Sequence, residues 1–138
     1  MAEKYFIPFK PDNSIKICKS PFHKEMESLK NCIDFSMFEG TPVLAARAGV
    51  VVARESRYSK NHQSSKYIDR TNYVIIQHLD GEVSVYAHLK WHSIRVAIGQ
   101  KVKRGKIIGL SGQTGYATYP HLHFGVYDKE DNNIKVLF

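Results

Sequence analysis

Apolar side chains recur along this 138-residue chain in short runs of period 2, with little of the 3.6-residue period that marks helices. Residues 43–46 and 50–54 make two such runs, separated by "RAG", whose Gly49 suits a tight turn. Residues 73–78 and 83–88 make a second pair around "LDGE", where Asp80-Gly81 is the strongest short hairpin signal in the chain. Residues 107–111 and 122–127 follow, separated by "GQTGYATYP", a stretch rich in turn formers. Helical spacing is confined to 23–31, "HKEMESLKN", enough for a turn or two. Residues 56–71 are polar and aperiodic, the length and composition of a functional or mobile loop. The pattern predicts a mostly β fold built from antiparallel sheets.

Composition narrows this to one domain over 1–138, since a chain of this length that is 43% hydrophobic can bury a core without staples. The longest apolar stretches, 50–53 and 73–76, fall far short of the roughly 20 residues of a membrane span, so none is expected. The opening "MAEKYFIPFKPDNS" lacks the apolar core of a signal peptide and leaves localisation open. A net charge of +7 suits acidic partners. The densest basic cluster, Lys101, Lys103, Arg104 and Lys106, has no interleaved aromatics of the kind that stack bases, and reads as a solvated turn; no nucleic-acid partner is expected. Cys18 and Cys32 are free to pair in an exported protein, and neither sits in a C-x-x-C motif.

Candidate chemistry begins at "PHLHF". On a strand, residues i and i+2 share a face, so His121 and His123 point one way and Leu122 the other. Two imidazoles so placed can share one metal, divide ligation from proton handling, or simply form a polar sheet face. His88 ends the run in which Val83, Val85 and Ala87 alternate with Ser84, Tyr86 and His88, which sets it on the face of Tyr86; taken alone it reads as a surface histidine at a strand end. Asp34 lies between Ile33 and Phe35, where a carboxylate is costly unless paired or bound to a metal. His78 reads as structural, and His62 and His92 as surface residues. Tyr116 and Tyr119 either line a groove or pack in their loop. Gly109, Gly112 and Gly115 read as turn devices.

Four blocks in order, "DFSMFEGTPVLAARAGVVV", "NYVIIQHLDGEVSVYAHL", "VAIGQKVKRGKIIGLSGQTG" and "PHLHFGVY", resemble the zinc peptidases of the M23 family, of lysostaphin and LytM type, over about 34–127. The resemblance implies a small antiparallel β domain of the duplicated hybrid motif kind, with a groove that the 56–71 loop would border. It further implies one Zn²⁺, and hydrolysis of peptide bonds in peptidoglycan cross-links or stem peptides by a monomer that is exported, periplasmic or wall-associated. By the same resemblance Asp34 and His123 are metal ligands, while His121 and His88 stay unligated and assist catalysis; the sequence leaves open which of the two is the base, and the tie of His121 to a ligand strand favours His121 as base and His88 as stabiliser.

One position departs from the family pattern. The first ligand of its H-x-G-x-D motif falls on Lys30, with Cys32 in place of the glycine. An ammonium group is a poor zinc ligand, and on that ground the chain reads as an inactive domain kept for wall binding or regulation. Some members that resemble this chain carry the histidine farther upstream, before a segment like "YAIDF", which "NCIDF" parallels. His23, eleven residues before Asp34, is then the displaced first ligand. Two imidazoles and one carboxylate would leave zinc an open position, the arrangement of catalytic sites.

Overall fold

The computed structural model describes residues 4–18, 26–59, 61–62, 71–116 and 119–138. Twelve strands follow in chain order: β1 (Lys16–Cys18), β2 (Ile33–Ser36), β3 (Pro42–Leu44), β4 (Gly49–Glu55), β5 (Asn61–His62), β6 (Tyr73–Gln77), β7 (Val83–Ala87), β8 (Lys101–Val102), β9 (Ile107–Leu110), β10 (Gly115–Tyr116), β11 (His121–Tyr127) and β12 (Asn133–Ile134). The helical spacing at 23–31 yields a single 3₁₀ turn, Glu27–Leu29, within its described part. No α-helix occurs among the described residues, and none of their segments is a helix long and apolar enough to cross a membrane.

The main sheet has eight strands, seven in the order β1-β2-β11-β7-β6-β4-β8 with β12 added beside β11, and every pairing in it is antiparallel. Strand β3 pairs with β9 in a small second sheet, and Val43 and Ile108 from that pair join Val51, Val74, Ile76, Tyr86, Leu122, Phe124 and Val126 in one core cluster. Tyr5 and Phe9 of the N-terminal segment complete it, held by Phe6 N–H to Ala46 O at 2.9 Å and Leu44 N–H to Pro8 O at 2.8 Å. The expected mostly β, antiparallel body is therefore the observed one.

Local chemistry accounts for the hairpin of β6 and β7. Its turn closes with Gly81 N–H to His78 O at 3.0 Å, and Gly81 has φ +89°, which a side chain would strain. The runs at 43–46 and 50–54 do not form a hairpin with each other: β3 goes to β9, while β4 goes to β6 and β8. Gly49 is accordingly no turn residue. It opens β4 at a close approach, where a Cβ would stand 2.3 Å from Gln77 O. The 56–71 stretch is less irregular than its composition suggests, since β5 pairs in parallel with β10; residues 60 and 63–70 lie outside the described set.

Cys32 is a free buried thiol, and the side chain of Cys18 lies outside the described set. One further expectation changes. In β7 Ser84, Tyr86 and Ala87 are buried while Val83 and Val85 are only half-buried, so the two valines lie on the more exposed face, the reverse of what the apolar alternation suggests. The basic residues at 101–106 are exposed around Gly105, as a solvated turn should be, with the Arg104 guanidinium 3.7 Å above the Phe6 ring.

Candidate functional site

Strand register assembles the site. His123 stands opposite Asp34 of β2 on one side and Ala87 of β7 on the other, and Ala87 stands opposite Tyr73 of β6. These four residues form one row across four strands, on the face away from Leu122, Phe124 and Val126. His121, two residues back along β11, shares that face and stands opposite Ser36. The side chains converge: His123 Nδ1 is 3.1 Å from Asp34 Oδ1, and His121 Nε2 is 3.7 Å from Asp34 Oδ2. Asp34, His121 and His123 are all buried, with exposures of 2%, 4% and 9%.

His88 joins them by breaking the alternation that the sequence implies. Continued as a strand, it would share the core face of Tyr86; instead β7 ends at Ala87 and His88 adopts φ +64°, uncommon for a residue with a Cβ. That turn swings the imidazole to the other face, with its ring centroid 4.6 Å from that of His121 and 5.9 Å from that of His123. It is buried, not a surface histidine.

Hydrogen bonds define how the two unpaired rings present themselves. His88 Nδ1 lies 2.5 Å from Thr114 O, and His121 Nδ1 lies 2.8 Å from Tyr119 O. A carbonyl only accepts, so each Nδ1 carries the proton and each neutral ring turns an Nε2 lone pair toward the site. Burial, reinforced by the neighbouring His121 and His123, pushes the His88 pKa down to about 3. Burial also lowers that of His121, partly offset by the Asp34 carboxylate. His123 shifts the other way: burial opposes its charge, but the bond to Asp34 and the adjacent Cys32 raise it. Tyr119 stacks on His121 with ring centroids 4.6 Å apart.

Asp34 and His123 suit a shared cation. Ligand atoms on one tetrahedral zinc, each about 2.0–2.1 Å from the ion, stand about 3.3 Å apart, close to the observed 3.1 Å between Nδ1 and Oδ1. Among the described residues, no three His, Cys, Asp or Glu side chains are arranged to hold an ion together. His23 lies outside the described residues. Lys30 does not enter the site, because its ammonium pairs with Glu27 on the exposed 3₁₀ turn. Cys32, just before β2, packs against β11, where a Cβ on Gly125 would stand 2.5 Å from its Sγ, so the thiol requires the glycine beside it.

The remaining candidates take plainer places. His78 is buried and structural, bonded to Ala48 O at 2.8 Å and Ser84 Oγ at 2.9 Å. His92 is exposed, stacked on Trp91; the side chains of His62 and Tyr116 are outside the described set. Gly112 acts through close approach, not through a turn, since a Cβ there would meet the Lys90 backbone at 2.8 Å; this contact lets Gly112 bridge to His121. Sequence reading passed over Tyr73, on the site row, and Thr71, Asn72 and Thr114, which surround His88. Alternation along 73–77 carries the signal for Tyr73; the other three have none beyond being polar residues beside strands.

Known proteins resemble this chain in sequence and in fold. The family model Peptidase family M23 matches residues 28–135. The chain is 46% identical over 94 residues to the peptidoglycan DD-endopeptidase ShyA of Vibrio cholerae, covering 68% of this chain and 19% of that protein. It is 40% identical over 93 residues to lysostaphin of Staphylococcus simulans, covering 67% of this chain and 17% of that protein. It therefore spans about a fifth of the length of these relatives. Among solved structures, the catalytic domain of lysostaphin from Staphylococcus simulans aligns with TM-score 0.59 and 33% identity over 76% of this chain and 74% of that one. A zinc-containing peptidase from Vibrio cholerae aligns with TM-score 0.65 and 29% identity over 96% and 39%.

Proposed function

The chain belongs to peptidase family M23, and on that premise we propose that it is a zinc-dependent endopeptidase cleaving peptide bonds in the cross-links or stem peptides of peptidoglycan. The observation that carries this reading is the approach of Asp34 and His123 to 3.1 Å beside two further buried imidazoles whose Nδ1 atoms are committed to backbone carbonyls. Asp34 and His123 would hold the ion, with His23 as the displaced third ligand. Zinc so held supplies a Lewis acid for the scissile carbonyl and acidifies water.

The protein's own groups do the rest. His121 is the base: its Nε2 lone pair is free of its own proton, and the Asp34 carboxylate 3.7 Å away stabilises the imidazolium once formed. The same imidazolium can return the proton to the leaving amine. His88 presents an Nε2 acceptor that orients the attacking water or the amide, a narrower role than the oxyanion stabiliser expected from the sequence, because its own proton is committed to Thr114 O. Tyr73, on the same row, flanks the groove in which an extended peptide would lie. The net charge of +7 suits an anionic wall, and the site of action is then outside the cytoplasm, with the protein working as a monomer and without nucleic acid.

Lys30 at the usual first-ligand position favours a second reading, a wall-binding or regulatory module without metal. Zinc content and cleavage separate the two. Protein purified without added metal should carry about one zinc per chain, should lose it in His23→Ala, Asp34→Ala and His123→Ala, and should release new amino termini from purified peptidoglycan. Wall binding that survives chelation, with neither zinc nor cleavage, would establish the module instead.

A further inference from the structure

We infer that Thr71 is a positioning residue for His88, its hydroxyl fixing both the backbone turn and the ring tautomer that point the His88 Nε2 lone pair into the site. The inference rests on the enzymatic reading above for its kinetic consequence, but not for its structural one.

At φ +64° the His88 N–H leaves the β6–β7 ladder, whose last pair is Tyr73 with Ala87. A buried N–H without an acceptor is costly, so a left-handed histidine here requires a substitute partner. Thr71 Oγ1 is that partner, accepting the His88 N–H at 3.0 Å. The same oxygen lies 3.2 Å from His88 Nδ1 and donates its own proton to Thr114 O at 3.2 Å. Thr114 O also receives His88 Nδ1–H at 2.5 Å. A carbonyl has two lone pairs, one for each of these donors. The set closes on itself: one hydroxyl accepts from the backbone of His88 and braces the carbonyl that holds its ring.

Behind it the carbonyl is anchored by Asn72, which is fully buried. Asn72 N–H donates to Thr114 Oγ1 at 3.1 Å, and its side chain spans Tyr58 N–H, Tyr58 O and Leu89 O at 2.9, 2.7 and 3.1 Å. Thr114 Oγ1 donates to Leu89 O at 2.9 Å. Thr71 thus touches His88 through its side chain and Thr114 through its backbone carbonyl, while Asn72 secures the loop that Thr114 belongs to. Thr71 does not reach the point where Asp34 and His123 converge through any hydrogen bond of its own, so its effect on chemistry passes through His88.

The test uses the full chain with ring-¹⁵N-labelled histidine. In the unmutated protein, His88 should show a single Nδ1–H tautomer; an Nε2–H tautomer there overturns the inference without any variant. Thr71→Val keeps the shape and removes the hydroxyl, and should mix the tautomers and lower kcat on peptidoglycan fragments at least about tenfold, with KM within about twofold and zinc content unchanged. Thr71→Ser keeps the hydroxyl and should restore both. A Thr71→Val protein with unmixed tautomer and unmutated kcat, or a Thr71→Ser protein as impaired as Thr71→Val, overturns the inference. Should Thr71→Val not fold, the unmutated tautomer and the Thr71→Ser kinetics still decide. If the unmutated protein cleaves nothing, the enzymatic reading fails, and the tautomer comparison alone judges the role of Thr71.

Discussion

His78 and His88 lie just beyond opposite ends of the β6–β7 hairpin, and both are buried, at 3% and 8% exposure. Each commits Nδ1 to a backbone carbonyl, Ala48 O for one and Thr114 O for the other, and burial lowers the pKa of both. They part at the second nitrogen. His78 Nε2 is met by Ser84 Oγ at 2.9 Å, whereas His88 Nε2 has no hydrogen-bond partner among the described residues and faces two more imidazoles. Burial and a perturbed pKa therefore do not distinguish a functional histidine from a structural one. On the proposed reading, the distinguishing feature is a nitrogen left without a partner among the described residues and set beside other titratable groups.

Breaking each corner should expose the difference. His88→Ala and His121→Ala should lower cleavage about 10²- to 10⁴-fold with zinc retained and the denaturation midpoint little changed, read by product formation, metal analysis and urea titration in parallel. His78→Ala should do the opposite. It leaves Ala48 O and Ser84 Oγ short of a partner, costs about 2–3 kcal/mol of stability, and leaves both zinc and the rate constant of the folded protein intact.

Acid sharpens the contrast further. The folded-state pKa of His78 lies below its ordinary value of 6.5, chiefly through burial. As pH falls the unfolded chain takes up the proton first, so stability is complete above about 6.5 and declines below it. His88 and His121, also lowered, act in the same direction. His78→Gln should flatten the decline between pH 7 and 5 without abolishing it, as read from denaturation midpoints across that range.

The smallest effect belongs to the turn beside His78. Asp80 bonds Lys4 at 3.2 Å and Arg47 at 3.1 Å. Some burial opposes its charge, but the Glu82 N–H, Lys4 and Arg47 outweigh it and bring its pKa down to about 2. Because Lys4 is exposed and Arg47 and Asp80 are only partly covered, Asp80→Asn should cost less than about 1 kcal/mol at neutral pH, and less still in high salt. The ion pairs' contribution is present above the ordinary value of 3.8 and is lost as pH falls toward 2.

What the sequence made legible follows the range of the interactions. The β6–β7 hairpin could be read because Asp80-Gly81 and its flanking alternation lie within sixteen consecutive residues, 73–88. The partners of β3 and β4 could not, since β9, β6 and β8 lie far along the chain and nothing local names them. Asp34 and His123 could be proposed together only through family resemblance, for the same reason. His88 was assigned to the site but to the wrong face, because a period of 2 assumes extended backbone and cannot anticipate φ +64°. Lys30 stands where the family resemblance expects a first ligand, and its pairing with Glu27 keeps it on the exposed 3₁₀ turn. Tyr5 and Phe9 were missed as core because a segment outside any strand carries no periodicity to read.

The pairing of Asp34 with His123 spans 89 residues of chain, and this distance governs when the site comes into being during folding. The β6–β7 hairpin closes a short loop and can form early. The β2–β11 contact must close a long one, against an entropy that grows with loop length, and topologies rich in such contacts fold slowly. A nascent chain has no His121 or His123 to offer until every residue before them has been made. A partly synthesised or partly folded molecule thus holds a finished hairpin before the row of β2, β11 and β7 is complete, and the candidate site is assembled only once β11 has docked.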